Sequence, residues 1–372
     1  MKKKVGLITI YHVPNYGSVL QAFATQIVIE DLGYECIMLN YKYPNEYHYN
    51  IEPQRRNVPL KSKIAYFWGL SRGQRLKKKL EKFKKDFFNF SDQYDSLQSL
   101  KNYNWSDYSA FVVGSDQVWN SRFTLGDSVF LLSFVPDSIR KISYASSFAS
   151  KSIPDKYKAL FQNKLTRFDA LSVREKNGVT ICSSLNVNKL VKVVLDPTLL
   201  LCASRWKTLL PQTQVTHKNK YILLYLLTYA FEPRPYVFHL LKYFQEKYSY
   251  EVIALAGYSS PKSALGIRMI NKTDADVSTF LNLFEHAELV VTTSFHGTAF
   301  AVNFGRPLCS IVPADSGDDR QSSLLQSLGL DQCILKINQP FEQVDPFYDV
   351  SKSQEKLDNL RKDSISWFKQ NL

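Results

Sequence analysis

AELVVTTSFHGTAFAVNFGRPLCSIVP, residues 287–313, is an apolar run, a polar turn, a segment of small residues and a second apolar run. ELVVTT (288–293) and PLCSIV (307–312) have strand character, and 296–303 has the length and composition of a short helix. Two strands joined through a helix lie parallel in one sheet. Parallel strands are covered on both faces, so they read as continuous apolar runs rather than alternating ones. His296 then falls at the mouth of a β–α unit, beside Gly297 and Thr298. The start of a helix offers free N–H groups and the positive end of its dipole, a place suited to an anion.

The same rhythm extends outward in both directions. Upstream, VGLITI (5–10), YECIMLN (34–40), AFVVG (110–114), KISYAS (141–146), DALSVR (169–174) and KLVKVVLD (189–196) predict strands. Nearer the opening stretch, KYILLYLL (220–227) and YEVIALA (250–256) do the same. Helical patterns intervene at 17–31, 156–168, 233–247 and 274–286. The fold class is therefore α/β, with two doubly wound, Rossmann-like domains facing a cleft. The polar stretch PQTQVTHKNK (211–220) is the predicted linker. It separates an N-terminal domain at 1–210 from a C-terminal one at 218–340, followed by a helix at 351–372.

The bulk properties agree with such a chain. Its 372 residues are 45% hydrophobic, 14% aromatic and 22% charged, the profile of packed α/β domains rather than of a disordered chain. The longest aliphatic–aromatic run, YILLYLLTYAF (221–231), is about half of the roughly 20 residues a membrane span needs. MKKKVGLITI reads as a first strand rather than a signal peptide. Cys36, Cys182, Cys202, Cys309 and Cys333 are scattered and form no CxxC, so a cytoplasmic location is expected and no metal site is.

The net charge of +13 is concentrated. Residues 55–86 hold twelve Lys or Arg against Glu81 and Asp86, a local excess of ten. Leu76, Leu80, Phe83 and Phe87 recur there at helical spacing, which predicts an amphipathic helix with a basic outer face. Such a face is either simply solvated or attracted to an anionic membrane surface.

Ligands of parallel sheets bind beyond the carboxyl ends of the strands. Polar motifs sit there repeatedly. HVPNYGSVLQAFATQ (12–26) feeds a helix, with Asn15, Gly17, Ser18 and Gln21 able to cap, turn or contact a sugar. GSDQVWN (114–120) places Asp116, Gln117 and Trp119 after a strand, a set suited to a sugar or to general-base work on a hydroxyl. Arg174 ends another strand and can grip a carboxylate or phosphate with two parallel hydrogen bonds. Asp196, before Pro197, reads as a turn residue.

In order, NYGSVLQAFATQ, VVGSDQVWN, ISYASSFA, LSVREKNG, VLDPTLLL and TTSFHGTAFAVNFGRPL resemble the polysaccharide pyruvyl transferases, over nearly the whole chain from residue 5 to about 330. The resemblance implies a GT-B-like pair of domains. It implies transfer of the enolpyruvyl skeleton of phosphoenolpyruvate to a sugar, with a pyruvate ketal formed and phosphate released. No cofactor is implied beyond phosphoenolpyruvate as co-substrate. By the same resemblance Arg174, His296 and Arg320 bind the donor, and the reading of the residues adds Gly297 and Thr298 at the start of the His296 helix to the donor side. Asn15, Gly17, Ser18, Gln21, Asp116, Gln117 and Trp119 take the acceptor, and His296 and Asp116 are the catalytic candidates. Several relatives carry Arg-Leu-His where this chain has Ser294-Phe295-His296, so one donor-binding cation is absent here. The expected acceptor is a lipid-pyrophosphate-linked precursor of a surface polysaccharide, capsule or exopolysaccharide, with the enzyme peripheral at the inner face of the membrane. Two rival readings remain. A GT-B nucleotide-sugar glycosyltransferase would use Asp315, Asp318 or Asp319 to hold a ribose. A non-catalytic anion- or nucleic-acid-binding protein would use the basic block, but nothing in nucleic-acid binding needs the strand-end motifs, so no nucleic-acid partner is expected.

Overall fold

The computed structural model describes residues 2–44, 71–210, 217–255, 263–315, 317–341 and 344–372. The predicted linker lies partly, and the first half of the basic block (55–70) wholly, outside the described residues. The first sheet contains β1 (Lys4–Ile8), β2 (Glu35–Tyr41), β3 (Phe90–Tyr94), β4 (Tyr108–Val113), β5 (Arg140–Ser146), β6 (Ala170–Val173) and β7 (Val191–Val193). Its spatial order is β3-β2-β1-β4-β5-β6-β7, all pairs parallel. The second contains β8 (Tyr221–Tyr225), β9 (Glu251–Ala254), β10 (Ser263–Ala264), β11 (Ile267–Asn271), β12 (Leu289–Thr292), β13 (Leu308–Val312) and β14 (Ile334–Lys336). Its order is β10-β11-β9-β8-β12-β13-β14, with β10 antiparallel at the edge. The two parallel cores share one winding, so each has a switch point: between β1 and β4, and between β8 and β12.

All ten strands expected from the sequence are present. The four it did not predict, β3, β10, β11 and β14, lie at or next to sheet edges. FSDQY (β3) shows why: an edge strand keeps polar groups toward water and loses the apolar run that marks a buried one.

The domains meet along two seams. On one, helix Val350–Asn371 leaves the second domain and lies on the first. Its Ser364 hydroxyl accepts from Leu195 N (3.0 Å), and Phe368 stacks on Tyr144 with ring centroids 4.2 Å apart. Arg361 donates to Leu199 O and to Asn303 Oδ1, while Asn303 donates to Thr198 O and Leu201 O. On the other seam, the predicted basic helix is found at Arg72–Phe87, with Leu76, Leu80 and Phe83 buried. Arg72 and Arg75 both bind the Asp274 carboxylate (3.0 and 2.6 Å), and Lys79 donates to Asp274 O. Tyr16, from the first helix, donates to Ala275 O (2.6 Å) and stacks on Phe280. Three of the helix's cations thus hold the second domain, a use that the charge count did not suggest. No helix among the described residues is long and apolar enough to cross a membrane.

Candidate active site

Both switch points open onto one inner cavity of about 170 Å³. Val13, Asn15 and Ser18 come to it from beyond β1, and Asp116, Gln117 and Phe123 from beyond β4. Leu227 and Tyr229 follow β8, Ser294, Phe295 and His296 follow β12, and Arg320 follows β13.

On the first-domain side, Asn15 caps helix Tyr16–Asp31, its Oδ1 accepting from Gly17 N at 2.8 Å. Ser18 in the first turn donates to Asp116 Oδ2 at 2.6 Å. Asp116 has φ 70°, a left-handed conformation that Asp tolerates better than most side chains. Its Oδ1 accepts from Gln117 N (2.9 Å). A carboxylate has about four acceptor positions, so capacity remains for a substrate hydroxyl.

On the second-domain side, Ser294 caps helix Phe295–Asn303 through Gly297 N (3.3 Å). His296 in the first turn crosses the cleft and lies against Gly17: a Cβ on Gly17 would fall 2.1 Å from His296 Nδ1. Glycine is required there because the imidazole occupies the space. The two motifs 12–26 and 294–298 are thus two halves of one contact.

Beneath them lies Asp196, fully buried. Its Oδ2 accepts from Arg174 Nη1 and Ser115 Oγ, both at 2.8 Å, and stands 3.6 Å from His296 Nε2. Its Oδ1 accepts from Thr198 N and Oγ1 (3.0 and 2.7 Å). Burial alone would raise this carboxyl; His296 and then Arg174, with the hydrogen bonds, hold it well below the usual carboxylate range. Arg174 in turn stacks over the Phe295 ring (4.2 Å) and stands 3.9 Å from Asp116 Oδ1. Its Nε and Nη2 are buried without a hydrogen-bond partner among the described residues. Two guanidinium donors without acceptors are costly in a dry site. This unused capacity stands beside the Asp116 carboxylate.

Arg320 is arranged differently. It donates to both oxygens of Asp318, two residues before it, and opens helix Arg320–Leu328. Burial would lower its pKa, but Asp318 holds it well above the ordinary value. It lines the cavity already neutralised. Glu175, next to Arg174, is buried and its carboxyl is raised by that burial. Its Oε1 accepts from Ser147 Oγ, Phe148 N and Ala149 N, fixing the turn after β5.

Several sequence expectations need correcting in placement. Trp119 does not face the cleft: it is 1% exposed, donates to Phe130 O and packs on Phe148 in the first-domain core. Gln21 is fully buried and ties Thr9, Ile10 and Ser18 together. Thr298 turns inward onto Ser310 Oγ (2.8 Å), and Gly297 is there because a Cβ would meet Thr292 Oγ1 at 2.2 Å. The structure does bring Asn15, Ser18, Asp116, Gln117, His296 and Arg320 together around the cavity, with Gly17 under the imidazole and Arg174 behind it. Asp196, expected as a turn residue, does cap helix Pro197–Leu200 through Thr198 N, and it is also the joint between Arg174 and His296. The available signal was LDPT directly after a strand, with Pro197 fixing the turn. Asp318 and Asp319, named for a ribose, are engaged by Arg320 and by Asn177 N.

An outer cavity of about 710 Å³ adjoins the inner one. The two share Gln117, Phe123, Leu227, Tyr229 and Arg320.

Comparison with known proteins agrees with this architecture. The S. aureus MnaA–UDP co-structure is similar over 97% of this chain and 96% of its own, with TM-score 0.52 and 12% identity. A putative UDP-N-acetylglucosamine 2-epimerase from Listeria monocytogenes is similar over 100% and 91%, with TM-score 0.51 and 15% identity. The UDP-GlcNAc 2-epimerase of Methanocaldococcus jannaschii is similar over 96% and 99%, with TM-score 0.50 and 12% identity. At such identities the likeness is one of fold, the two-domain GT-B arrangement. No curated protein sequence matches the chain. The family model described as "Polysaccharide pyruvyl transferase" matches residues 15–315, which spans the Asn15 cap, the Asp116 turn, Arg174, Asp196 and His296, and the chain belongs to that family.

Proposed function

We propose that the protein transfers the pyruvate skeleton of phosphoenolpyruvate to two hydroxyls of one sugar in a surface-polysaccharide precursor. The observation that carries this reading is the convergence of Arg174 and His296, from different domains, on buried Asp196, with His296 on the wall of a 170 Å³ cavity. That volume is below the roughly 300–1,000 Å³ of ordinary ligand pockets and suits a small, highly charged donor.

The chemistry follows from the donor set. The free Nε and Nη2 of Arg174 bind the phosphate or carboxylate of phosphoenolpyruvate. A proton adds to the methylene carbon, making it a methyl group and leaving an oxocarbenium-like centre at the adjacent carbon. A sugar hydroxyl attacks that centre and gives up its proton to Asp116. The carbon–oxygen bond to phosphate breaks, the electron pair leaves with phosphate, and a second hydroxyl closes the ketal and loses its proton. Two hydroxyl protons are released, one matching that taken up by the methylene carbon and one leaving with phosphate. His296 is the acid for the methylene carbon or the departing phosphate, and Asp196 orients it and balances its charge.

The lipid-pyrophosphate carrier and the cytoplasmic membrane face belong to the same proposal. Lys77, Lys78 and Lys85 are exposed on the basic helix, with no ion-pair partner among the described residues, and support peripheral contact with an anionic surface.

Phosphate release from phosphoenolpyruvate, dependent on an added glycan acceptor, tests the reading. Consumption of a nucleotide sugar with no effect of phosphoenolpyruvate would replace it with the glycosyltransferase alternative.

A further inference from the structure

We infer that the outer cavity is the acceptor subsite and that it recognises a sugar through an attached phosphate or pyrophosphate ester. This rests on the donor occupying the inner cavity. The five shared wall residues make the outer space continuous with the place where bond formation occurs. Its 710 Å³ is within the ordinary range for a ligand pocket and holds what the inner cavity cannot.

The lining divides into two chemistries. Phe123, Tyr157, Tyr229 and Phe231 offer ring faces, the surfaces on which sugar rings stack. Arg122, Lys151 and Lys156 offer charge. None of the three has a carboxylate partner among the described residues; Arg122 and Lys156 lie instead near the Phe123 and Tyr157 rings (6.0 and 4.8 Å). Asp315 is the one lining carboxylate not already bound by an arginine, since Asp318 is held by Arg320. Three unpaired cations around an aromatic pocket give a neutral glycan nothing that the rings and amides do not. They do match a phosphate ester carried on the sugar, and Lys151 and Lys156 sit on the loop and helix start that follow the turn fixed by Glu175. Of the acceptor residues expected from the sequence, Asn15, Ser18, Asp116 and Gln117 line the inner cavity and only Gln117 reaches the outer one, so they form no more than the inner rim of the acceptor site. Its larger part is built by 120–125, 149–157 and 227–231.

The test uses the full chain and titration calorimetry with inorganic pyrophosphate, glucose 1-phosphate, glucose and UDP, each with and without saturating phosphoenolpyruvate. Glucose 1-phosphate and pyrophosphate should bind the donor-saturated protein. Arg122→Ala/Lys151→Ala/Lys156→Ala should weaken both about tenfold or more while leaving phosphoenolpyruvate affinity within twofold. Glucose should bind more weakly and be insensitive to the triple variant. Because the three side chains are exposed, the variant is expected to unfold at the wild-type temperature, which a melting curve checks. Unchanged phosphate binding in the triple variant would overturn the inference, as would phosphate binding abolished by phosphoenolpyruvate, which would place the anion in the inner cavity. UDP binding far tighter than pyrophosphate would assign the pocket to a nucleotide and overturn it too. Failure of phosphoenolpyruvate to bind the wild-type protein would instead break the donor reading, and the pyrophosphate titration without donor would still decide this one.

Discussion

The two chambers of the cleft are built on opposite principles. In and behind the inner one the charged groups are buried: Asp116 beside Ser18, Arg320 on the wall, and Asp196 behind it under Arg174 and His296. In the outer one Arg122, Lys151 and Lys156 are exposed and have no carboxylate partner among the described residues. Preorganised groups in a dry site act strongly on a small reacting molecule, whereas solvated ones select among larger partners at little cost in stability. The same contrast separates Arg320, on the inner wall, from Arg174, behind it. Arg174 has donors to offer, while Arg320 has already given its fork to Asp318.

The strongest way to break the contrast is to remove its keystone. Asp196→Asn leaves Arg174 and His296 buried without their counter-charge and should cost roughly 3–5 kcal/mol in stability, measured by denaturant unfolding at pH 7. The sign with pH follows from the depressed carboxyl. The native state favours the ionised form, so this stabilisation is present above the ordinary Asp value of about 4 and is lost as the pH falls through and below it. The acid limb of stability should flatten in the variant. An unchanged limb and midpoint would show the joint to be incidental.

Next is His296, where two substitutions separate the proton from the hydrogen bond. If it is the acid, His296→Gln should bind donor yet turn over at least ~10²-fold more slowly, and His296→Ala should lose binding as well. Recovery of most activity by Gln would reduce it to a ligand. Arg174→Ala should remove roughly 2–5 kcal/mol of donor binding by calorimetry, and Arg320→Ala distinctly less, because its charge is already balanced. Equal losses would erase the distinction between the two arginines.

A gentler probe is salt. Exposed charges are screened once the Debye length shortens to about 10 Å near 0.1 M, and buried ones much less. The KM for a phosphorylated acceptor should therefore rise steeply with ionic strength while the donor Kd moves little. Parallel slopes would place both ligands in the same environment.

The smallest effect belongs to the exposed seam. Asp274→Asn weakens two ion pairs whose arginines are 47% and 41% exposed, and the melting temperature should fall by an amount equivalent to no more than about 1 kcal/mol. Arg361→Ala, at the buried seam, should cost more. The reverse order would show that the clasp, not the C-terminal helix, joins the domains.

The winding of both sheets was legible because central strands carry unbroken apolar runs, LVV in β12 and FVV in β4, and burial on both faces demands that. The positions of the motifs were legible for the same reason: a strand end is where the apolar run stops. Side-chain direction was not. Trp119 and Gln21 are the residue types that bind sugars, but a turn sends Trp119 into the core and helix Tyr16–Asp31 turns Gln21 inward, and only the three-dimensional path shows it. Asp196 was hidden for another reason. Its partners stand 22 residues before it and 100 after, in two domains, and no local pattern marks a convergence over that separation.

The chain returns from the second domain to the first along helix Val350–Asn371. Asn303 of the second domain and Arg361 of that helix bind each other and the backbone carbonyls of Thr198, Leu199 and Leu201 in the first. The imidazole of His296 fills the space where Gly17 has no side chain, so this contact exists only while the two domains stand this close.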